Sequence, residues 1–321
     1  MDNIATIEDE VGLKSTSNQF IRANTINMDL REIQEKHVIP VFSKLNEPLI
    51  SHYDFVQTTL EVLQNSFKTE LINDPIIKVS HPIKGRIPEA KHKPSKDLLE
   101  NEKTLYFERM AFMIEIPTVF DSISNDTLIL TVGGIKAFNL DNFNSNRLEQ
   151  HFKIFIGLKN CICTNLCIKT DGLKSDIVVK SILELKFELE KLIEAYNPTQ
   201  HLRSLKELLS YEINEQQFSF LIGKLKMYPF LSNQLKKNIL DLKLTESQLN
   251  TFINLYFNSP DFCKNNDGSI NLWKLYNNAT EALKSTYIDG FLDKNVNAYD
   301  FVHHLSQSLN GIKSQSNWYL E

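Results

Sequence analysis

Three closely spaced cysteines are the first candidates for chemistry, because thiolates at short spacing commonly bind zinc. They are Cys161, Cys163 and Cys167, and Cys263 is the remaining cysteine of the chain. The apolar residues around them predict strands over residues 152–159 and 161–169, or one bent strand. In an extended strand Cys161 and Cys167 would lie ~20 Å apart, whereas zinc holds each sulfur at ~2.3 Å. We therefore expect buried structural thiols and no metal site.

The histidines and carboxylates form no recognised catalytic pattern. The eight histidines show no His-Glu-x-x-His spacing, and the ten glycines form neither a Gly-x-Ser-x-Gly motif nor a phosphate-binding loop. Asp171 and Asp176 could form a carboxylate pair for a metal-dependent nuclease, although a turn and a solvated cap explain them more simply. The sequence therefore predicts a non-enzymatic protein without catalytic residues or cofactors, with a nuclease as the third-ranked alternative.

A proline-rich segment over residues 75–96 carries the strongest local charge. Four of the ten prolines fall here, which predicts a loop, because proline neither continues a helix nor sits in a central strand. Residues 78–96 hold six lysines or arginines and one acid, a net charge of +5, so the formal charge of -5 leaves -10 for the rest. This balance excludes a protein that is basic all round and permits a localised strip for nucleic acid.

The predicted interface combines this loop with the strands that follow it. Lysines neutralise phosphates without reading bases, and only six arginines leave little scope for bidentate base contacts, so binding should be indifferent to sequence. Phe107 and Phe155, on the same strand face, could stack on bases, although core packing explains them equally well. The predicted contacts are Lys84, Arg86, Lys91, Lys93, Lys96, Arg109, Lys136, Lys153 and Lys159.

The elements that must position these residues follow from periodicity. A capping box at Ser51 and Asp54 begins a helix over 52–67, and apolar runs over 104–117 and 127–138 predict a long antiparallel hairpin in which Gly133 and Gly134 mark a bulge or a close backbone approach. An amphipathic helix should cover 181–195. Further helices are predicted near 201–210, 215–227, 231–240, 246–258, 271–285 and 295–309. The fold class is thus α+β: an antiparallel strand-rich middle packed on a helix, then a helical C-terminal third.

The predicted organisation has three parts. A flexible arm occupies residues 1–26, an α+β domain containing the 75–96 loop spans 27–198, and a helical region packed on it spans 199–321. The acidic start, the few cysteines and the lack of any run of ~18 apolar residues predict a cytoplasmic protein that is not inserted in a membrane.

Several motifs extend over nearly the whole chain: Ile39–Ser43, His81–Pro88, Tyr106–Phe112, Phe155–Asn160, Cys163–Cys167, Thr170–Gly172 and Asn271–Asn277. Together they resemble an uncharacterised protein family of Bacteroidetes genomes and their mobile elements. The strings Cys163-Thr-Asn165 and Tyr276-Asn277-x-x-Thr280-Glu281 are more distantly similar to a broad phage- and plasmid-borne domain family of unknown function. The resemblance implies a mobile-element context and carries over no activity. The order of elements also resembles the core of phage single-strand annealing recombinases, which lay single-stranded DNA along a basic groove in an oligomeric ring.

The leading prediction is a mobile-element protein, phage or conjugative, that binds single-stranded DNA by phosphate contacts, with a homo-oligomer among its expected assemblies. The alternative is an interaction or anti-defence factor that docks on a host protein through aromatic residues of the helical third. That alternative requires an exposed patch. Its candidate residues are Trp273, Tyr276, Tyr287 and Phe291.

Overall fold

Strands dominate the first half of the chain and helices the second. The structure, a computed structural model, describes residues 19–41, 49–138, 149–312 and 314–320. Up to residue 179 the elements are β1 (Ile26–Met28), α1 (Leu30–Lys36), β2 (Ile39–Pro40), α2 (His52–Ser66), β3 (Ile76–Val79), β4 (Pro82–Arg86), β5 (Lys103–Phe107), β6 (Arg109–Ile123), β7 (Asp126–Ala137), β8 (Gln150–Asn160), β9 (Leu166–Cys167) and β10 (Leu173–Val179). Beyond it they are α3 (Ile182–Ala195), α4 (Pro198–Glu207), β11 (Glu212–Ile213), α5 (Glu215–Met227), α6 (Asn233–Lys236), α7 (Glu246–Asn258), β12 (Ile270–Asn271), α8 (Leu272–Leu283) and α9 (Ile288–Leu309). This arrangement confirms the predicted α+β class.

A seven-stranded antiparallel sheet forms the centre of the molecule. Its strands run in the order β1-β3-β6-β7-β8-β10, and β9 pairs with β8. The predicted hairpin is β6 with β7, which pair from Arg109 opposite Ala137 to Ile123 opposite Asp126, with one register shift between Ile116 and Phe120. Strands β2, β4 and β5 form a separate small sheet beside it.

Helices cover both faces of the large sheet. On one face the ring of Phe55 in α2 lies edge-on to Phe112 and Phe152, with centroids 4.9 and 4.8 Å apart, and α3 packs beside α2. On the other face Phe291 of α9 joins an apolar cluster that includes Phe155 of β8. The burial of apolar side chains on both faces stabilises the sheet, and α9 lies over the face on which base contacts were expected.

Gly134 in β7 lies where α2 approaches the sheet. A Cβ atom there would be 2.4 Å from Phe55 Cζ and 2.6 Å from the carbonyl oxygen of Lys153, and at Gly133 it would be 2.1 Å from the carbonyl oxygen of Phe112. Both glycines pair in regular register with β6 and β8. Of the two predicted explanations, the structure therefore supports a close approach and not a bulge.

We expect Gly134→Ala to lower the free energy of unfolding by about 1–3 kcal/mol, because overpacking a dense core forces side chains and backbone to shift. Gly223→Ala is the matched control, since a Cβ inside α5 meets nothing within 4 Å there and alanine favours a helix by roughly 0.5–1 kcal/mol over glycine. Urea unfolding of both variants measures the difference. Equal stabilities would contradict the close packing of α2 on β7.

The proline-rich segment 75–96 is not a loop throughout, contrary to prediction. Its first half forms β3 and β4, and only its second half consists of short 3-10 turns and connections. Pro75 precedes β3, and Pro82 is the first residue of β4. The ends of strands tolerate proline, so these two residues do not prevent pairing.

Three other predicted elements differ in the structure. The strand expected over 161–169 is wrong, because the chain turns at residues 161–163, Thr164 adopts a left-handed φ of 59°, and only β9 remains extended. The helix expected over 231–240 is reduced to α6. The last helix begins seven residues earlier than predicted, at Ile288, because burial of Ile288, Phe291 and Leu292 outweighs the low helix propensity of Gly290.

The predicted flexible arm falls partly outside the described residues, which begin at residue 19. Phe20 and Ile21 are 2% and 0% exposed and pack in the cluster beneath α9, so this end of the arm belongs to the core. The division at residue 198 stays a prediction. Within the described ranges, no helix is long and apolar enough to cross a membrane.

Candidate nucleic-acid interface

Two of the predicted contacts in the basic segment are engaged inside the protein. Arg86 is 3% exposed, and its guanidinium donates to the main-chain oxygens of Lys91 (3.3 Å), Lys93 (2.5 Å) and Val41. The ammonium of Lys93 forms an ion pair with Glu102. Arg86 therefore ties the chain after β4 back onto the small sheet, and its burial keeps the guanidinium, including the unpaired Nε, from a phosphate.

Two predicted contacts in the large sheet are buried with their own partners. Lys136 is 0% exposed and donates to the carbonyl oxygen of Ile50 and, at 2.6 Å, to Gln150 Oε1. Lys159 of β8 pairs with Glu115 of β6 across the intervening strand. Both lysines stabilise the sheet interior, where a nucleic acid has no access.

The other two sheet cations are neutralised by α9. Arg109 Nη1 lies 2.8 Å from Glu108 Oε2, and its Nε lies 3.6 Å from Asp289 Oδ2. Lys153 pairs with Asp293 and donates to the main-chain oxygen of Asp289 at 2.7 Å. The carboxylates of α9 thus occupy the positions that phosphates would need on this face. The two rings that were expected to stack on bases are also buried, since Phe107 and Phe155 are 3% and 1% exposed.

Lys84, Lys91 and Lys96 are the predicted contacts that remain available. Lys84 projects from β4 and Lys96 from a following turn, both exposed, and Lys91 between them is half-exposed. Within the described residues none of the three side chains forms an ion pair. Because Arg86 fixes residues 91–93 against β4, the three lysines belong to one tethered segment.

The two carboxylates considered for catalysis have different partners. Asp171 Oδ2 lies 3.1 Å from Lys169 Nζ, whereas Asp176 accepts from the Ser175 hydroxyl at 3.3 Å in a groove of about 790 Å³ between β10 and α3. Within the described parts of the chain, no group of three His, Cys, Asp or Glu residues could hold a metal. The nuclease alternative stays a prediction.

The cysteines differ in their surroundings. Cys167 is buried as expected, and burial raises the pKa of the half-buried Cys163 thiol to about 12. Cys161 is exposed in the turn after β8, so the expectation of a buried thiol is wrong for this residue.

The aromatic residues proposed to dock on a host protein are mostly internal. Trp273, Tyr276 and Phe291 are 2%, 0% and 1% exposed, and only Tyr287 of this set reaches solvent, at 61%. The Trp273 indole donates to Asp126 Oδ2 at 2.7 Å and so joins α8 to β7. These side chains hold the helical region to the sheet and do not form a docking patch.

The strings Cys163–Asn165 and Tyr276–Glu281 meet in the core. Asn165 Nδ2 donates to the main-chain oxygen of Asn277 at 2.9 Å. Lys284, 1% exposed, donates to the main-chain oxygen of Cys163 and, at 3.1 Å, to the Thr164 hydroxyl. We call this set the α8 clamp, because it holds the end of α8 against the turn between β8 and β9.

Comparison with known protein families gives one match, which covers residues 1–320 and is described as "Domain of unknown function, B. Theta Gene description (DUF3871)". The chain belongs to this family. No curated protein and no solved structure matches it. The α8 clamp and the tethered lysine segment both lie within the residues that match this family.

Sequence reasoning missed a second basic segment at residues 224–243. It contains five lysines and one aspartate, a net charge of +4. The same window count that singled out residues 78–96 would have found it. Unlike residues 75–96, this segment does not contain several regularly spaced prolines, and most of it was predicted to be helical. For these reasons its charge was not noticed.

Proposed function

We propose that this protein binds single-stranded DNA through phosphate contacts and without catalysing a reaction on it. The observation that carries the proposal is the tethered segment, in which Lys84, Lys91 and Lys96 have no ion pair among the described residues. An ammonium group without a carboxylate partner can exchange its counterions for a phosphate, which drives nucleic-acid binding.

The proposed contact is small and depends on salt. Six of the nine predicted cations have intramolecular partners, which leaves three phosphate contacts on this segment. Three contacts on a single strand contribute about -2 to the slope of log K against log salt, or roughly a 20-fold loss of affinity between 50 and 200 mM salt. A footprint of this size favours several copies along one strand, in line with the homo-oligomer proposed from the resemblance.

The same proposal includes the mobile-element context and the Bacteroidetes origin that the sequence motifs imply. The alternative of docking on a host protein has less support, because three of its four candidate aromatic residues are buried and only Tyr287 is exposed. The nuclease alternative has no added support, because the contacts of Asp171 and Asp176 are with neighbours in sequence.

The test is a triple substitution of Lys84, Lys91 and Lys96 by alanine, measured by fluorescence anisotropy with a labelled oligothymidylate across a range of salt. We expect the log-log slope to become shallower by about 2, because three phosphate contacts are lost. The control removes the same charge at three exposed cations elsewhere, Lys68, Lys191 and Arg203. If both triple variants lose the same affinity, net charge and not this segment explains the binding, and the proposal is wrong.

A further inference from the structure

The corner between α5 and α6 presents an aromatic ring to solvent. Phe230 is 81% exposed and lies in the 3-10 turn Tyr228–Phe230 that follows α5. Its exposed fraction exceeds that of every other large apolar side chain in the described residues. A ring in this position contributes little to the core and offers its face to a ligand.

The segment that carries this ring is rich in lysine. We call residues 224–243 the basic corner; its lysines are Lys224, Lys226, Lys236, Lys237 and Lys243, and its acid is Asp241. Burial raises the pKa of the Asp241 carboxyl, and its nearest charged neighbours are Lys243 and Lys236. One half-buried carboxylate cannot neutralise five ammonium groups, so the corner keeps a positive surface.

Two of these lysines make the turn rigid. Lys236 Nζ donates to the carbonyl oxygen of Pro229 at 2.7 Å and lies 5.6 Å from the centre of the Tyr228 ring. Lys224 Nζ donates to the carbonyl oxygen of Trp318 at 2.5 Å and lies 5.3 Å above that indole. Lys236 thus ties α6 to the turn that carries Phe230, and Lys224 ties α5 to the C-terminal segment; ordering of the turn before binding lowers the entropy lost when a ligand packs on the ring.

The other three lysines are available to an anion. Lys226, Lys237 and Lys243 are exposed and form no ion pair within the residues that the structure describes. Lys294 of α9 extends the positive surface, because it lies near Lys243 and donates to Gln248 at 3.2 Å. Exposed ammonium groups that form no ion pair can be neutralised by a bound polyanion.

We infer that the basic corner binds an unpaired stretch of nucleic acid, with the Phe230 ring stacked on one base and Lys226, Lys237 and Lys243 contacting the flanking phosphates. This inference rests on the proposed function. The lysine contacts of the proposed function reach only phosphates, and the basic corner adds a surface that contacts a base. A base inside a duplex is stacked on both faces, so only an unpaired base offers a free face to Phe230.

An anionic membrane is the other polyanion that a basic and apolar surface could meet. Interfacial binding commonly uses an amphipathic helix that lies in the membrane plane. Here α6 has four residues, and the exposed ring projects from a 3-10 turn. The geometry therefore favours a single base over a lipid surface.

The experiment compares the full-length protein with Phe230→Ala by fluorescence anisotropy at fixed low salt. Three labelled probes are used: an oligothymidylate, an abasic strand of the same length and charge, and a duplex. We expect Phe230→Ala to bind the oligothymidylate roughly 5- to 150-fold more weakly, as the loss of one base-aromatic stack predicts. Binding to the abasic strand and to the duplex should be unchanged. Leu235→Ala is the matched control, because Leu235 is 53% exposed in the same corner and has no ring.

The outcomes separate this inference from the proposed function. If the unaltered protein binds the oligothymidylate and Phe230→Ala binds it equally well, the inference is wrong and the lysine contacts stand. The inference is also overturned if Leu235→Ala loses as much affinity as Phe230→Ala. Absence of any binding by the unaltered protein removes the proposed function and this inference together. A fourth outcome is that the unaltered protein binds vesicles of anionic lipid but no oligonucleotide, and that Phe230→Ala weakens the binding to vesicles. This result would overturn the inference and assign the basic corner to a membrane surface.

Discussion

Acidification from pH 7 to pH 4.5 should remove about 5 kcal/mol of stability through two buried histidines, roughly 2.5 kcal/mol each. His52 at the start of α2 is 0% exposed, and His201 in α4 is 1% exposed. Burial lowers the pKa of His52 to about 3 and that of His201 to about 4. Both side chains are therefore neutral in the folded protein at neutral pH.

Their contacts explain why protonation is unfavourable. His52 Nε2 donates to the carbonyl oxygen of Phe107 at 2.8 Å, and its ring stacks on Tyr106 with centroids 4.6 Å apart. His201 Nδ1 lies 2.6 Å from the Tyr196 hydroxyl. A proton added to either ring would place a charge in the core without a carboxylate in hydrogen-bond contact.

The sign of the pH effect on stability follows from how the folded and the unfolded protein bind protons. The unfolded chain binds a proton at each histidine near pH 6.5, whereas the folded protein does not until pH 4 or below. Each histidine thus destabilises the fold by about 1.4 kcal/mol for every pH unit below 6.5. The contribution is fully present above pH 7 and is lost as the pH falls.

Urea unfolding at several pH values measures this loss, and a variant isolates it. Burial raises the pKa of the Asp126, Asp241 and Asp300 carboxyls, which opposes the histidines in acid. His52→Gln retains a donor for Phe107 and cannot titrate, so the variant should lose about 2.5 kcal/mol less than the unaltered protein between pH 7 and 4.5. An identical loss in both would show that His52 is not held neutral by burial.

Lys284→Ala should lower the free energy of unfolding by about 1–3 kcal/mol, because Lys284 is the buried donor of the α8 clamp. Lys284 Nζ lies 2.8 Å from Glu281 Oε2, and Glu281 in turn lies 2.5 Å from Arg22. The substitution also leaves the Cys163 carbonyl and the Thr164 hydroxyl without the ammonium donor. The α8 clamp would then keep only its bond from Asn165 to Asn277.

A control at the surface distinguishes this network from charge alone. Lys68→Ala removes an exposed lysine and should change stability by less than about 0.5 kcal/mol. Chemical denaturation of both variants at neutral pH gives the comparison. A cost below about 1 kcal/mol for Lys284→Ala would show that the clamp contributes little to the fold.

Local sequence signals predicted the elements well where a cap and an apolar stripe coincide. The capping boxes at Ser51, Asn214 and Thr245 begin α2, α5 and α7, and the bounds of these helices agree with the predictions to within one residue. The hairpin followed in the same way from two long apolar runs. These features depend on residues that are close in sequence.

The candidate site could not be predicted in full, because its electrostatics depend on distant residues. Arg109 and Lys153 look available in the sequence, yet Asp289 and Asp293 of α9 lie more than 130 positions later and pair with them in space. Counting charges in a window cannot detect such pairs. The burial of Arg86 was equally hidden, since its acceptors are main-chain oxygens.

The most direct test of the account is the salt dependence of single-stranded DNA binding by the unaltered protein. Fluorescence anisotropy with a labelled oligothymidylate should show binding at 50 mM salt and a log-log slope of about -2 or steeper, because each phosphate contact on a single strand contributes about -0.7. A duplex of the same length should bind more weakly. No binding at 50 mM salt, or an affinity that does not change with salt, would contradict the account.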